Sequence, residues 1–442
     1  MFNKTHLVDK TVLLILAGRV INSLGGFVTI YFVLHYLNDK LQGHYYTFLN
    51  LIGFSVFFEF GLSTLIIQLI SHHVRDTYFQ KQRLVGPESS LNQFLTLVKN
   101  ILVHAFFLAI FMALSLGVLG GILLEKSATL YLPWLLLVLV YCLSFFINTA
   151  INIIEGTGKI NDVAIARMLS TLVSIPTLWL CLSSHLGVYA LVIQAIANVI
   201  TLSAWLLSQY GLFIRQALNQ HISIKDFFSY LKSVFPLQKR LSVSFLSIYM
   251  GAQVYVPLMF ALGQVELAGK LGVTLQAFNA INGFAITWIN SKLALFGASI
   301  SKGERLKVYA QFKSLFGTSL LVLILLLLIL WTLFFALNQT NSPYLSRFLS
   351  AKYILLFSIT AIGIHVYTSI NTYLLSFKLD PLFKLNLLRI IFLFTSICVI
   401  YVLKEVSYIF GIYLINTVLI GMLGAIYVLH QFHTKILGKN EQ

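Results

Sequence analysis

Carboxylates are scarce in this chain: 14 Asp and Glu among 442 residues, against 30 Lys and Arg. Charge of either sign is thin, 10% of the residues where a soluble protein carries about 25%. An ordinary soluble domain could not cover its surface with so little. Cysteine is nearly missing as well. Cys142, Cys181 and Cys398 lie far apart inside apolar runs, with no CxxC spacing, which excludes a disulfide framework and a thiolate metal site. They read as small buried hydrophobes. Proline is rare, at 7 residues, so little interrupts long helices; Pro176 and Pro257 fall inside apolar runs and predict bends there.

What is abundant is hydrocarbon. The chain is 58% hydrophobic with a mean hydropathy of +0.88, the composition of a membrane protein. Its net charge of +16 sits between apolar runs rather than on a soluble basic face, so it points to a membrane surface and an anionic substrate, not to nucleic acid. The first apolar run is too long for a signal peptide, contains Arg19 and lacks a small-x-small cleavage site. It reads as a retained first span.

A helix needs about 20 apolar residues to cross the hydrocarbon core. Twelve runs qualify: 11–37, 44–71, 100–124, 131–154, 163–184, 187–209, 237–261, 270–297, 314–337, 351–376, 386–403 and 408–430. With the N-terminus inside, the inner segments hold 22 Lys and Arg and the outer loops 6; Arg19 and Lys292, within runs, complete the 30. That asymmetry places both termini in the cytoplasm. Residues 211–240 carry Ile222, Ile224, Phe227, Phe228, Leu231 and Val234 among Lys225, Asp226 and Lys232. They predict an amphipathic helix on the inner face, joining two halves.

Those halves repeat. LQG at 41–43 matches LAG at 267–269, EGTGK at 155–159 lines up with DPLFK at 380–384, and LGVYA at 186–190 with FGIYL at 410–414, at offsets of 226, 225 and 224 residues. Six spans per half make the repeat parallel, with an axis along the membrane normal. The expected fold is therefore all-α: a polytopic membrane protein of twelve transmembrane helices in two six-helix bundles. Its parts are residues 1–210, an amphipathic linker 211–235, and residues 236–442.

Polar side chains at helical spacing mark the faces that avoid lipid. Arg19, Asn22 and Ser23 share a face of the first span; Ser55, Glu59 and Ser63 one of the second; Asn148, Asn152 and Glu155 one of the fourth. Arg167, Ser170 and Ser174 follow on the fifth, and Gln194, Asn198 and Thr201 on the sixth. Gln276, Asn279, Thr287 and Asn290 line the eighth, and Ser358, His365 and Ser369 the tenth. Interhelical hydrogen bonding accounts for any one stripe alone. Seven stripes in both halves predict a wet cavity, with Arg19, Asn22, Asn148, Asn152, Arg167, Asn279, Asn290 and His365 as candidate substrate-binding residues.

Arg19 lies about 12 Å from the inner end of its helix, so it can face substrate, pair with Glu59 or snorkel to the surface. A guanidinium suits phosphate through its two-pronged donor geometry. Glu59 is too central and too short to snorkel, and reads either as a coupling site for H⁺ or Na⁺ or as a counter-ion to Arg19. Lys292 falls off the eighth-span stripe about 9 Å from the inner end, and either snorkels or faces the cavity. His35, His104 and His365 have no ligand-spaced His, Cys or Asp partners, so no metal and no cofactor is expected.

The GR at 18–19, FEFGL at 58–62, EGTGKIND at 155–162, FPLQKRLSVSF at 235–245, ISKGE at 300–304 and YLLSFKLDP at 373–381, in this order over twelve spans, resemble the polysaccharide-transporter (O-antigen flippase-like) family. That family belongs to the multidrug/oligosaccharidyl-lipid/polysaccharide exporter superfamily. The resemblance implies two bundles around a central cavity and a multi-pass protein of the bacterial inner membrane. The implied cargo is a polyprenyl-pyrophosphate-linked glycan, an undecaprenyl-linked O-antigen or similar unit of lipopolysaccharide biosynthesis, carried from inner to outer leaflet. It further implies that Arg19 and Arg167 receive the pyrophosphate, and that membrane lipids and other polysaccharide-assembly proteins are neighbours. One position departs from the family: Leu375 stands where a basic residue is usual.

Two rivals remain. A multidrug or metabolite cation antiporter of the same superfamily would favour acidic spans, whereas the charges here include arginine. A membrane glycosyltransferase or polymerase would carry a large outer loop with catalytic groups. The outer loops here are short, with isolated Asp39, Glu125, Glu266 and Glu405, so no catalytic residue is assigned and the chain is not expected to be an enzyme.

Overall fold

The computed structural model describes residues 10–59, 61–74, 77–124, 128–290, 296, 299–300, 304–340, 342–377 and 381–437. Backbone groups in hydrocarbon find no water, so the apolar runs close their hydrogen bonds internally as helices. The first half contains α1 (Lys10–Tyr36), α2 (Asp39–Ile52), α3 (Ser55–Glu59), α4 (Leu62–His73), a hairpin of β1 (Tyr78–Gln80) and β2 (Arg83–Val85), α5 (Glu88–Leu124), α6 (Ala128–Gly156), α7 (Ile160–Ser183) and α8 (Tyr189–Leu218). The second contains α9 (Ile224–Gln253), α10 (Tyr255–Ala261), α11 (Val265–Ala285), α12 (Thr287–Asn290), α13 (Arg305–Gln339), a 3-10 turn (Pro343–Arg347), α14 (Ala351–Leu375) and α15 (Phe383–Leu403). It ends with α16 (Tyr408–Leu414), a π-helical stretch (Ile415–Met422) and α17 (Leu423–Leu437).

Among the described residues, eight segments are long and apolar enough to cross a membrane: α5 to α8, α13 to α15, and residues 408–434. The remaining four spans are α1, the series α2–α4, the pair α9–α10 and the pair α11–α12. The chain is thus an all-α, multi-pass membrane protein of twelve spans. α13 fits lipid most plainly, with Leu321, Leu325, Leu328 and Leu333 all exposed.

Two of these spans depart from regular helix at matching points of the repeat. The second turns at Gly61, whose φ of 67° is left-handed and suits glycine. The eighth is only mildly irregular at Ile286, 225 residues later and inside the range of repeat offsets, where φ is −67° and ψ −12° and the helical hydrogen bonds continue. Interrupted spans such as the second are where transporters build their sites.

Packing divides the chain into two compact units, Met1–Gly18 with Phe48–Leu246, and Arg19–Thr47 with Ser247–Gln442. These differ from the halves of the repeat, because most of α1 and the start of α2 pack within the second unit. The reason is local. Arg347 of the 3-10 turn pairs with Asp39 and donates from Nη2 to the Leu37 carbonyl at 2.7 Å and from Nε to Gln42 Oε1 at 2.9 Å. Nearby, His35 Nδ1 meets the Tyr344 hydroxyl at 2.8 Å.

Two further features depart from the sequence reading. The hairpin pairs Phe79 with Leu84 and is held to α8 by Gln216, whose amide brackets the Leu84 backbone at 3.1 and 3.4 Å. Its strands, three residues each, are too short for any alternation to show. The amphipathic helix does not stand apart either: α9 runs from Ile224 through Pro236 to Gln253, continuous with the seventh span.

Candidate functional site

In the first unit, the polar faces of α6 and α7 converge on one guanidinium. Asn152 and Glu155 are three residues apart near the end of α6, so both project from one face. Arg167, two turns into α7, reaches both. Its Nη2 lies 2.8 Å from Asn152 Oδ1 and 2.8 Å from a Glu155 carboxylate oxygen. The Arg167 side chain is 46% exposed and that of Glu155 19%, so the pair is open on the arginine side. One nitrogen serves both protein partners, leaving the rest of the fork for a further acceptor.

Above the pair the stripe continues, with Asn198 Nδ2 donating to Ser170 Oγ at 2.7 Å. At the other end, Tyr210 donates to Asp162 at 2.7 Å. Asn148 turns back on its own helix, donating to the Ser144 carbonyl at 2.8 Å. In the same unit Glu59, half-buried, accepts from Ser63 Oγ at 3.2 Å across the Gly61 break. The predicted shared face of Glu59 and Ser63 is thus present.

The second unit treats its candidates differently. Asn22 and Asn279 are exposed and Asn290 is half-buried. His365 is 1% exposed and works as an internal cross-link. Ser319 spends its one hydroxyl proton on the Ala285 carbonyl at 2.6 Å, so at 2.9 Å it accepts from His365 Nε2–H. His365 therefore ties α14 to α13 and α11 in the unit's interior. The side chain of Arg19 and the whole of Lys292 lie outside the described residues, as do Phe60, residues 301–303 and 378–380 of the quoted motifs.

Sequence reasoning placed Glu155 on the right stripe but left it out of the site. The signal was there, an acid three residues after Asn152 and facing Arg167. No group of three or more His, Cys, Asp or Glu able to hold a metal occurs among the described residues.

Compared with known structures, the chain aligns along nearly its whole length with MATE transporters. Against the eukaryotic MATE transporter AtDTX14 the TM-score is 0.59 at 13% identity, covering 96% of this chain and 94% of that one. Against a multidrug resistance MATE family transporter of the MOP superfamily in its inward-facing conformation it is 0.56 at 12% identity, covering 99% and 97%. The outward-facing form gives 0.52 at 12%, covering 98% and 96%. The chain has the MATE transporter fold. No protein-family model matches it, and no curated protein is similar to it in sequence. Within the MATE fold, the expected twelve spans are accounted for.

Proposed function

We propose that this chain is an alternating-access transporter, opening one binding site to each side of the membrane in turn. One observation carries the reading: the fold is shared end to end with transporters solved in both inward-facing and outward-facing conformations. Those neighbours are multidrug transporters, which supports export of a drug-like or metabolite solute in exchange for H⁺ or Na⁺. Glu59, a half-buried carboxylate beside the Gly61 break, is the group to exchange the ion.

A second reading, flipping of a polyprenyl-pyrophosphate-linked oligosaccharide, has its own support. The net charge is +16, and Arg167 keeps an open side toward an anion. One pair of measurements separates the two. Gradient-driven efflux of a cationic dye from proteoliposomes, abolished by Glu59→Gln, supports the antiporter. Accumulation of a lipid-linked oligosaccharide on the inner leaflet after deletion of the gene, with no dye efflux, supports the flippase. Absence of both in membranes that contain the folded protein removes the transporter reading.

A further inference from the structure

Arg389 is a cation buried without a carboxylate. The loop count groups it with the inner-face charges, yet it is 4% exposed and points into the second unit. It lies about 9 Å along α15 from its start at Phe383. Its Nε donates to Asn416 Oδ1 at 3.4 Å, and Asn416 is fully buried eight residues into the last span. Its guanidinium carbon sits 4.5 Å over the Tyr367 ring, and the Tyr367 hydroxyl donates in turn to Asn386 at 2.6 Å.

The chain gives this side chain unusual accommodation. The last span unwinds to a π-helical stretch, Ile415–Met422, where it passes Arg389, a distortion that recurs at functional sites. Gly251 and Gly421 leave room from two sides: a Cβ on the first would lie 2.9 Å from Nη2, and one on the second 3.6 Å from the guanidinium carbon. All these partners are neutral dipoles. The carboxylates of the second unit are Asp39, Glu266, Glu304, Asp380, Glu405 and Glu441, and every one lies outside the apolar stretches. Among the described residues Arg389 forms no ion pair, and its Nη1 is buried with no hydrogen-bond partner.

Arginine cannot shed its proton, so its charge must be met by something else. A buried charge with neutral partners only is strongly unfavourable. We infer that Arg389 is the binding residue of a small-anion site inside the second unit, taking an inorganic monoanion of halide size. A small monoanion fits because one negative charge balances one guanidinium and a halide has far less hydration to lose than phosphate or sulfate, while phosphate demands more donors than Nη1 and its neighbours supply.

The test is thermal unfolding of the purified protein in detergent at constant ionic strength, with gluconate replaced stepwise by chloride. The wild type should show a saturable rise in Tm of a few degrees, and Arg389→Met, if monodisperse, should show none. Bromide should give an anomalous-scattering peak beside the guanidinium in crystals. A wild-type Tm indifferent to chloride, as would follow if Asp380 supplied the counter-charge, overturns the proposal. So does an equal response in Arg389→Met. If that variant does not fold, Asn416→Ala keeps the charge but removes Nδ2, a buried donor without a partner beside the guanidinium. It should raise the half-saturating chloride concentration several-fold, and an unchanged value overturns the proposal too.

Discussion

Gly43 and Gly269 meet backbone to backbone. A Cβ built on Gly269 would lie 2.8 Å from the Gly43 nitrogen, and one built on Gly43 would run into the Val265 carbonyl. The two are equivalents in the repeat, the last residues of LQG and LAG. Since the obstruction is backbone, it cannot swing aside. Gly43→Ala and Gly269→Ala should each cost about 1–3 kcal/mol by overpacking, read as a lower Tm in detergent. Gly317→Ala, with nothing within 4 Å in the interior of α13, should be neutral or stabilising by up to about 1 kcal/mol.

The Arg347 clasp makes a related prediction. It joins the Asp39 carboxylate, Gln42 and the Leu37 carbonyl through a fork only arginine provides. Arg347→Ala should lower stability by about 1–3 kcal/mol, discounted because Asp39 is 49% exposed. Arg347→Lys should recover less than half, since one ammonium cannot reach all three acceptors. Unfolding curves of the three proteins, compared in the same detergent, check both figures.

Much of this was legible because a helix in lipid leaves a period in the sequence. The spans, the Glu59–Ser63 face and the alignment of Asn152 with Glu155 all follow from a spacing of three or four residues. The limit is that polarity says a face avoids lipid and not what it meets. His365 and Asn152 sit on similar stripes, yet one closes a core cross-link and the other opens onto a half-exposed arginine. Arg389 was hidden for a different reason. Its place near a helix start looks like a headgroup anchor, and only its contact with Asn416 reveals that it turns inward.

Acid should loosen the start of α9. Ser223 and Asp226 form a reciprocal cap: the Asp226 amide donates to Ser223 Oγ at 3.1 Å, and Ser223 donates to the Asp226 carboxylate from its hydroxyl at 2.7 Å and its amide at 3.3 Å. The bonds from the Ser223 hydroxyl, then its amide, hold the Asp226 carboxyl below its ordinary value. A depressed carboxylate contributes stability that is present above its unfolded pKa and lost as pH falls through the folded one. Limited proteolysis at residues 219–223 should therefore accelerate on acidification through that window. Asp226→Asn should show fast cleavage already at neutral pH.

For the Arg167–Glu155 pair, function and stability should separate. With the arginine 46% exposed, solvent screens the pair, and Glu155→Gln or Arg167→Gln should change stability by no more than about 1 kcal/mol. If Arg167 receives an anionic substrate, transport falls about tenfold or more in Arg167→Gln, because the exposed part of its fork is gone. Glu155→Gln leaves Arg167 with an uncompensated charge and should tighten binding of an anionic substrate while slowing its release. A double-mutant cycle on transport rate and on Tm, run with the same preparations, reports whether the two effects part as stated.

Glu59 should matter through its ionisation and not through its shape. Glutamine is nearly isosteric and its carbonyl oxygen can still accept from Ser63, so Glu59→Gln should fold, reach the membrane and melt within a degree or two of the wild type. What it cannot do is release a proton or hold a cation. If the antiport reading is right, transport driven by an imposed pH or Na⁺ gradient disappears in Glu59→Gln. Glu59→Asp keeps the charge but draws it back by one methylene beside the Gly61 turn, and should retain a reduced rate. Gradient-driven uptake by proteoliposomes of the three proteins, at matched protein density, decides it. Equal rates in wild type and Glu59→Gln would leave the carboxylate a structural partner of Ser63 and no more.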